Sequence, residues 1–233
     1  MIYSILGGFR AVVGTCFVLF FSTIWMILLL YEPMRHIDFL NYAPIFEASL
    51  QDIASGTLVS AYSILGFEVL WFFYPFIIDK KNITRYSQLG AFLSGLLLFL
   101  ALATSIGFFS ATQLEENIWP LLQMFKNLSF PLFERFDIIV VGLWLLIILS
   151  NVVILGWVIT FGLRRITKFK QKHYLYILSS LIFLSTFYFN ERQRIVDFTD
   201  FSAKLGLFFA FLLPILLLPF AIIRRRKGKK NNA

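Results

Sequence analysis

Six long apolar segments constrain the fold of this chain more than any other feature. A helix needs roughly 20 apolar residues to cross the hydrocarbon core of a bilayer, and each segment meets or approaches that length. They lie at 11–31, 56–78, 86–114, 138–163, 174–190 and 205–223. The runs are continuous, whereas the strands of a membrane barrel alternate apolar and polar residues. We therefore predict an all-α, polytopic membrane protein with six transmembrane helices, forming one transmembrane domain over residues 1–233.

The composition supports a lipid environment. Apolar residues make up 59% of the chain and charged residues 15%, against about 45–50% and 25% in soluble domains. A net charge of +8 would favour a nucleic-acid partner in a soluble protein. Here six of the 21 basic residues follow the last apolar segment, within positions 224–230. We therefore expect the lipid bilayer, and not nucleic acid, as the partner of these charges.

The basic residues also predict an orientation. Fifteen Lys and Arg residues lie in the amino end, the second and fourth connections and the tail, and six lie in the other three connections. Because cytoplasmic connections carry the excess of basic residues, both termini are predicted to be cytoplasmic. Residues 224–233 then form a basic cytoplasmic tail.

Glu68 is the ionisable residue nearest the centre of a predicted span. An acid at that depth costs about 2.5–3.5 kcal/mol, so it should face protein or water. Gly66 precedes it, and Pro75, which has no N–H to donate, follows. This pattern favours a broken helix that lines a cavity, with Glu68 and Phe67 at the break. The alternative is a kinked helix in which Glu68 pairs with a neighbouring helix.

Three further sets of residues have both a structural and a functional interpretation. Ser63 leads towards Gly66 and either permits close helix packing or contacts a ligand. Asn151, at the middle of the fourth span, either makes an interhelical hydrogen bond or lines the same cavity as Glu68. Glu134 and Asp137 precede the fourth span, where acids favour the positive end of the helix dipole, so we expect helix-start roles for them.

The sequence offers little for catalysis or metal binding. It contains no Ser-His or Cys-His pattern, no phosphate-binding Gly-rich loop and no cluster of metal ligands. We therefore predict a protein that is not an enzyme and has no cofactor and no metal.

The order of several short motifs is typical of a known family. The motifs are GFR at 8–10, DFLNYAP at 38–44, SILGFE at 63–68, Pro75 with Phe76, and ERFD at 134–137 followed by Trp144. This order resembles the spore germination proteins of the amino acid permease type, the membrane-embedded B subunits of nutrient germinant receptors. The resemblance implies a leucine-transporter-like inverted-repeat fold, of which the six spans would be helices five to ten. Helices one to four would then be missing from this chain, which would be a fragment, the product of a truncated or split gene, or one half that needs another polypeptide.

The resemblance also implies a function. In such folds a discontinuous helix contacts the ligand, so Ser63, Gly66, Phe67 and Glu68 become the expected ligand-binding residues. The chain would be a receptor subunit in the inner membrane of the spore, with a small germinant and other receptor subunits as partners. Two alternatives remain open, an amino acid or proton-coupled permease of the same fold and an inactive or structural membrane fragment.

Overall fold

The computed structural model describes residues 1–43, 48–126, 136–167 and 169–219, and these residues form helices and connections without any strand. The prediction of an all-helical protein is thus confirmed for the described part of the chain. The α-helices run in the order α1 Ile2–Leu6, α2 Gly8–Thr23, α3 Tyr31–Arg35, α4 Leu50–Ser63, α5 Val69–Phe73, α6 Ile83–Phe108, α7 Ala111–Glu116, α8 Pro120–Lys126, α9 Phe136–Ile166, α10 Gln171–Tyr188 and α11 Arg192–Leu207. Short 3₁₀ helices occupy Ile24–Leu30, Phe39–Tyr42 and Tyr74–Phe76.

Four of the described helical segments are long and apolar enough to cross a membrane. They are Gly8–Arg35, Ile83–Phe108, Ile138–Ile166 and Arg192–Pro219. These segments coincide with the first, third, fourth and sixth predicted spans. The fifth predicted span falls on α10, which is a helix but does not reach the same apolarity over its length. The second is interrupted, as described below, so the count of six stays a prediction.

Two predicted span limits need correction. The apolar run 86–114 continues past the end of α6, because the chain leaves helical geometry at Phe109 and Ser110 caps the next helix, α7. The connection before the sixth span is helical, since α11 begins at Arg192 rather than at Leu205. The helical segment Arg192–Pro219 has 28 residues, about 42 Å at 1.5 Å per residue, which exceeds a hydrocarbon core of about 30 Å.

The chain forms two compact units. The first comprises Met1–Glu47 and Phe76–Ser180, and the second comprises Ala48–Pro75 and Leu181–Ala233. In the first unit, the main helix pair is α2 with α9. At Gly156 of α9, an added Cβ would lie 2.9 Å from Cδ1 of Ile5. A small residue is therefore needed there for α1 to approach α9.

An aromatic cluster in the first unit joins the start of α2, the segment after Pro75 and α9. Phe9 stacks on Phe76 with ring centroids 4.5 Å apart, and Trp157 stacks on Phe161 at 4.6 Å. The Phe76 ring meets the rings of Trp157 and Phe161 edge to face. Trp157 is only 2% exposed. The cluster thus fixes the segment after Pro75 onto α2 and α9 by ring packing.

The connection after the first span docks on the carboxyl end of α6. The Tyr42 hydroxyl donates to the Ala103 carbonyl at 2.9 Å, and Asn41 Nδ2 donates to the Gly107 carbonyl at 3.1 Å. The Asp38 N–H donates to the same Gly107 carbonyl at 2.9 Å. The Gly107 carbonyl lies in the last turn of α6, where the helix supplies no donor, so the bonds from Asn41 and Asp38 satisfy it. The bond from Tyr42 adds a contact one turn earlier.

Candidate functional site at a break in the second apolar segment

The helix that leads to the candidate site begins at a capping box. The N–H of Asp52 donates to the Ser49 hydroxyl at 3.2 Å, and the N–H of Ser49 donates to the Asp52 carboxylate at 3.0 Å. These reciprocal bonds satisfy two donors at the start of α4. The hydrogen bond from the Ser49 hydroxyl, followed by that from its backbone N–H, lowers the pKa of the Asp52 carboxyl.

The helix ends at Ser63 and the chain turns over residues 64–68 before α5 begins, so the break that Gly66 predicts is present. Gly66 has a φ of +127°, a conformation that residues with a Cβ rarely adopt. The N–H groups of Ile64 and Leu65 bond to carbonyls only two or three residues earlier, which tightens the end of α4. We name residues 64–68 the break segment.

The Glu68 side chain caps the turn of the break segment. Its Oε2 accepts a hydrogen bond from the Gly66 N–H at 2.9 Å. The carboxylate thereby replaces the carbonyl that a continuous helix would offer to this N–H. Glu68 is half-buried, and it makes no ion pair with any residue in the described ranges. The interpretation as an acid paired across a plain kinked helix therefore receives no support from the described contacts.

The break leaves backbone groups available for a ligand. Within the described ranges, the carbonyls of Ser63, Ile64 and Leu65 accept no hydrogen bond, and the N–H groups of Phe67 and Glu68 donate none. Gly66 and Phe67 are exposed, as is Ser63. Free backbone groups at bilayer depth are tolerated only where protein or water satisfies them. This segment thus offers acceptors and donors side by side within a few residues.

The break segment packs against the last helix within the second unit. The Phe67 ring lies edge to face with that of Phe211 at 5.5 Å. A Cβ added to Gly206 would lie 2.6 Å from Cδ1 of Leu65, so that side chain occupies the groove left by the glycine. The two contacts join the break segment to the end of α11 and to the helical turn that follows it.

The helix opposite the break is itself irregular, and sequence reasoning did not identify this feature. Residues Phe208–Leu212 form a π-helical turn in which the Leu213 N–H donates to the Phe208 carbonyl. Pro214 has no N–H for the Ala210 carbonyl, so the ordinary ladder fails here. Pro214 was the available signal, but it predicts only a bend. Such π turns occur often at functional sites.

The predicted site residues separate into two groups. Ser63, Gly66, Phe67 and Glu68 are brought together at the break, and Pro75 lies in the 3₁₀ turn Tyr74–Phe76. Asn151 lies in the first unit, on an exposed position of α9, so its place beside Glu68 stays a prediction. Glu134 lies outside the described residues. Asp137 is the second residue of α9, and its helix-start role stays a prediction.

The arrangement suits recognition of a small polar ligand better than metal binding. A carboxylate and free carbonyls attract a cation such as an ammonium group, while free N–H groups donate hydrogen bonds to the oxygens of an anion. Among the residues in the described ranges, no group of three or more His, Cys, Asp or Glu side chains forms a metal site.

The four long apolar helical segments place the protein in the class of multi-pass helical membrane proteins. The sequence model described as "Spore germination protein" matches residues 1–195. The chain therefore belongs to the spore germination protein family.

Curated relatives in this family come from two Bacillus species. Spore germination protein GerQB of Bacillus cereus is 31% identical over 227 residues, covering 97% of this chain and 63% of the relative. Spore germination proteins A2 and B2 of Bacillus subtilis (strain 168) are 26% and 24% identical, covering 97% and 95% of this chain. They are covered over 62% and 60% of their own lengths. The chain thus spans about three fifths of these relatives. No solved protein structure gives a significant match.

Proposed function

We propose that this chain is a membrane subunit of a spore nutrient germinant receptor and that it senses a small germinant, such as an amino acid, at the break segment. The observation that carries this proposal is the Gly66–Glu68 turn, which interrupts an apolar segment in a chain of this family. We assign no chemical reaction to it.

The free groups of the break segment match the two charged ends of an amino acid. The ligand ammonium would bind the Glu68 carboxylate and the carbonyls of residues 63–65, and the ligand carboxylate would bind the N–H groups of Phe67 and Glu68. The exposed Phe67 ring would contact an apolar ligand side chain. The bonds to these backbone groups replace bonds that a continuous helix would have made internally.

Binding would change the state of the receptor through the Glu68 carboxylate. When an ammonium group engages Glu68, the carboxylate is drawn from the Gly66 N–H, and the turn at residues 64–68 loses its cap. A ligand shifts an equilibrium only by as much as its affinity differs between the two states. Contacts of Leu65 and Phe67 with the last helix would carry the changed turn to Gly206 and Phe211.

The wider setting follows from the family. We place the subunit in the inner membrane of the spore, with both termini cytoplasmic, together with other receptor subunits. The fold we propose is leucine-transporter-like, with the broken segment α4–α5 as its discontinuous helix and Asn151 near the ligand. Names of relatives as spore germination proteins support this placement.

A permease is the second candidate function. The observation that favours it is an ionisable carboxylate at a broken helix, which is the arrangement used for proton or ion coupling in transporters. In that case Glu68 would bind a proton and the helices would alternate access to the two sides. A structural subunit without a ligand remains the third alternative.

Spores that express Glu68→Gln in place of this chain test the proposal. Glutamine keeps the acceptor for the Gly66 N–H but loses the negative charge, so the turn should persist while ammonium binding weakens. We expect the response to an amino acid germinant to fall at least about tenfold in effective concentration. The matched control is Glu115→Gln, which removes an exposed acid elsewhere.

Uptake of labelled amino acid by vesicles separates the two functions. A lost germination response in Glu68→Gln spores, without flux through the unmodified protein, supports the receptor. Flux that disappears with Glu68→Gln supports the permease. A full response in Glu68→Gln spores at normal protein levels contradicts a role for this carboxylate in either function.

A further inference from the structure

A second polar site lies in the first unit, at helix ends that contribute no residue to the break segment. An open cavity of about 520 Å³ is formed where the start of α2 meets the end of α9 and the start of α10. Its lining includes Leu6, Gly8, Arg164, Lys170, Lys172 and Leu175. The sequence assigned these basic residues only to the orientation of the chain, and their convergence on one cavity is a finding of the tertiary structure.

The lining is strongly cationic. Among the described residues that line the cavity, Arg164, Lys170 and Lys172 are basic and none is acidic. None of these three side chains pairs with an acid in the part of the chain that the structure describes. Like charges held around one cavity repel each other unless an anion neutralises them. The cavity therefore favours a ligand with at least one full negative charge.

The cavity lies at the level where phospholipid headgroups are found. Gly8 is the first residue of the membrane-crossing segment Gly8–Arg35, and Arg164 is near the end of the segment Ile138–Ile166. One segment begins where the other ends, so their shared rim marks one boundary of the hydrocarbon region. Leu6 and Leu175 add an apolar wall to the same cavity. A ligand with a charged head and apolar chains fits this combination.

The start of α10 is held in place by a partly buried hydrogen bond. Gln171 Nε2 donates to Oγ1 of Thr160 at 3.1 Å, and Thr160 is fully buried on α9. Gln171 stands between Lys170 and Lys172 in the chain. The bond therefore holds the backbone of residues 170–172 against α9. Because the backbone is held there, the two lysine side chains start from fixed positions beside the cavity.

We propose that this cavity binds the phosphate group of an anionic phospholipid. Arg164, Lys170 and Lys172 would contact the phosphate oxygens, and the apolar wall would contact the first methylene groups of the acyl chains. A bound lipid would link the ends of α2, α9 and α10. The proposal is independent of the ligand assigned to the break segment, since no residue is shared.

Native mass spectrometry of the full chain, purified in a neutral detergent, tests the proposal. The protein is titrated with dioleoyl phosphatidylglycerol or with dioleoyl phosphatidylcholine, which differ in net charge but share the acyl chains. We expect phosphatidylglycerol to bind with preference. The double variant Lys170→Gln, Lys172→Gln should weaken that binding by about thirtyfold, from the removal of two cations near the headgroup.

The matched control is the double variant Lys80→Gln, Lys81→Gln, which removes the same charge from another basic connection. We expect it to bind phosphatidylglycerol like the unmodified protein. Equal losses in the two double variants would mean attraction by overall charge and would overturn the site. Thermal unfolding of each variant, followed by helical circular dichroism, confirms that the fold is intact.

Soluble phosphate compounds distinguish the source of the phosphate. Glycerol 3-phosphate and inorganic phosphate are added at millimolar concentration before the lipid. We expect neither compound to prevent the later binding of phosphatidylglycerol, because both lack the acyl chains that would contact Leu6 and Leu175. If either one binds in the cavity and excludes the lipid, the occupant is a soluble phosphate compound and the lipid proposal is wrong.

Discussion

The Glu68 carboxylate accepts a hydrogen bond from the Gly66 N–H at 2.9 Å, so an acid two residues along the chain caps the turn that the glycine makes. The hydrogen bond is local, and it gives both residues a structural role in the turn. Gly66 supplies the φ of +127° and Glu68 satisfies the donor that this conformation exposes. A charged group is thereby retained in an apolar segment as part of the backbone structure.

Gly66→Ala should impair the germinant response through the backbone alone. In the part of the chain that the structure describes, no side chain lies within 4 Å of a Cβ added there, so a clash with another side chain is not the cause. The φ of +127° is instead strained for any residue with a Cβ, by about 1–3 kcal/mol. Dose–response measurements on spores should show a large loss of sensitivity.

Gly56→Ala is the control for Gly66→Ala. It lies within α4, also with open space around an added Cβ. Alanine in a helix interior is favoured over glycine by about 1 kcal/mol, so we expect a normal response. Similar losses from the two substitutions would exclude a special role for the Gly66 conformation.

Gly107→Ala should loosen the docking of the first connection on α6. A Cβ there would lie 2.5 Å from the Tyr42 hydroxyl oxygen and 2.8 Å from Cγ2 of Ile37. Tyr42 is fixed by its bond to Ala103, so relief requires displacement of the docked segment. We expect a loss of stability of about 1–3 kcal/mol, measured by chemical unfolding in detergent micelles.

Gly95→Ala provides the comparison for Gly107→Ala on the same helix. Its added Cβ meets no side chain within 4 Å among the described residues, so the substitution should be neutral or slightly stabilising. If Gly107→Ala is equally harmless, the docking seen at Tyr42 does not contribute to stability.

Trp157→Ala should destabilise the first unit more than the same substitution at an exposed tryptophan. Trp157 is 2% exposed and contacts Phe9, Phe76 and Phe161. In a membrane the loss comes from packing and the cavity that remains, and we expect at least about 2 kcal/mol. Trp25→Ala, at 42% exposure, should cost much less in the same unfolding measurement.

The cap of α4 should weaken in acid because of Asp52. Its pKa is lower in the folded protein than in the unfolded chain, so its contribution to stability is present above the unfolded pKa of about 3.9. The contribution is lost as the pH falls through the lowered folded value. Carboxyl chemical shifts should therefore give Asp52 a titration midpoint below about 3.9.

Two serine variants check the origin of this shift. Ser49→Ala removes the hydroxyl that donates to the Asp52 carboxylate, and the midpoint should rise towards the ordinary value. Ser55→Ala should leave it unchanged, because that hydroxyl donates to the Gln51 and Asp52 backbone carbonyls instead. A midpoint unaffected by Ser49→Ala would contradict the assigned cause.

Much of the architecture was predictable because lipid imposes a simple rule. Long apolar runs must satisfy their backbone internally, so the segments beginning at 11, 86 and 138 had to be helical whatever they packed against. The break at residues 64–68 was also predictable, since Gly66 and Pro75 each weaken a helix by their own covalent structure. These effects are local and need no tertiary information.

The helical class, the apolar segments and the acid at a broken helix thus follow from the order of the residues alone. The three-dimensional arrangement adds the contacts: Glu68 caps Gly66, Leu65 and Phe67 pack on Gly206 and Phe211, and Tyr42 binds the end of α6. It also gathered Arg164, Lys170 and Lys172 around one cavity. Inside a bilayer, an apolar side chain has about the same free energy against lipid as against another helix. Hydropathy therefore does not determine which helices pack together, whereas close packing and directional hydrogen bonds do.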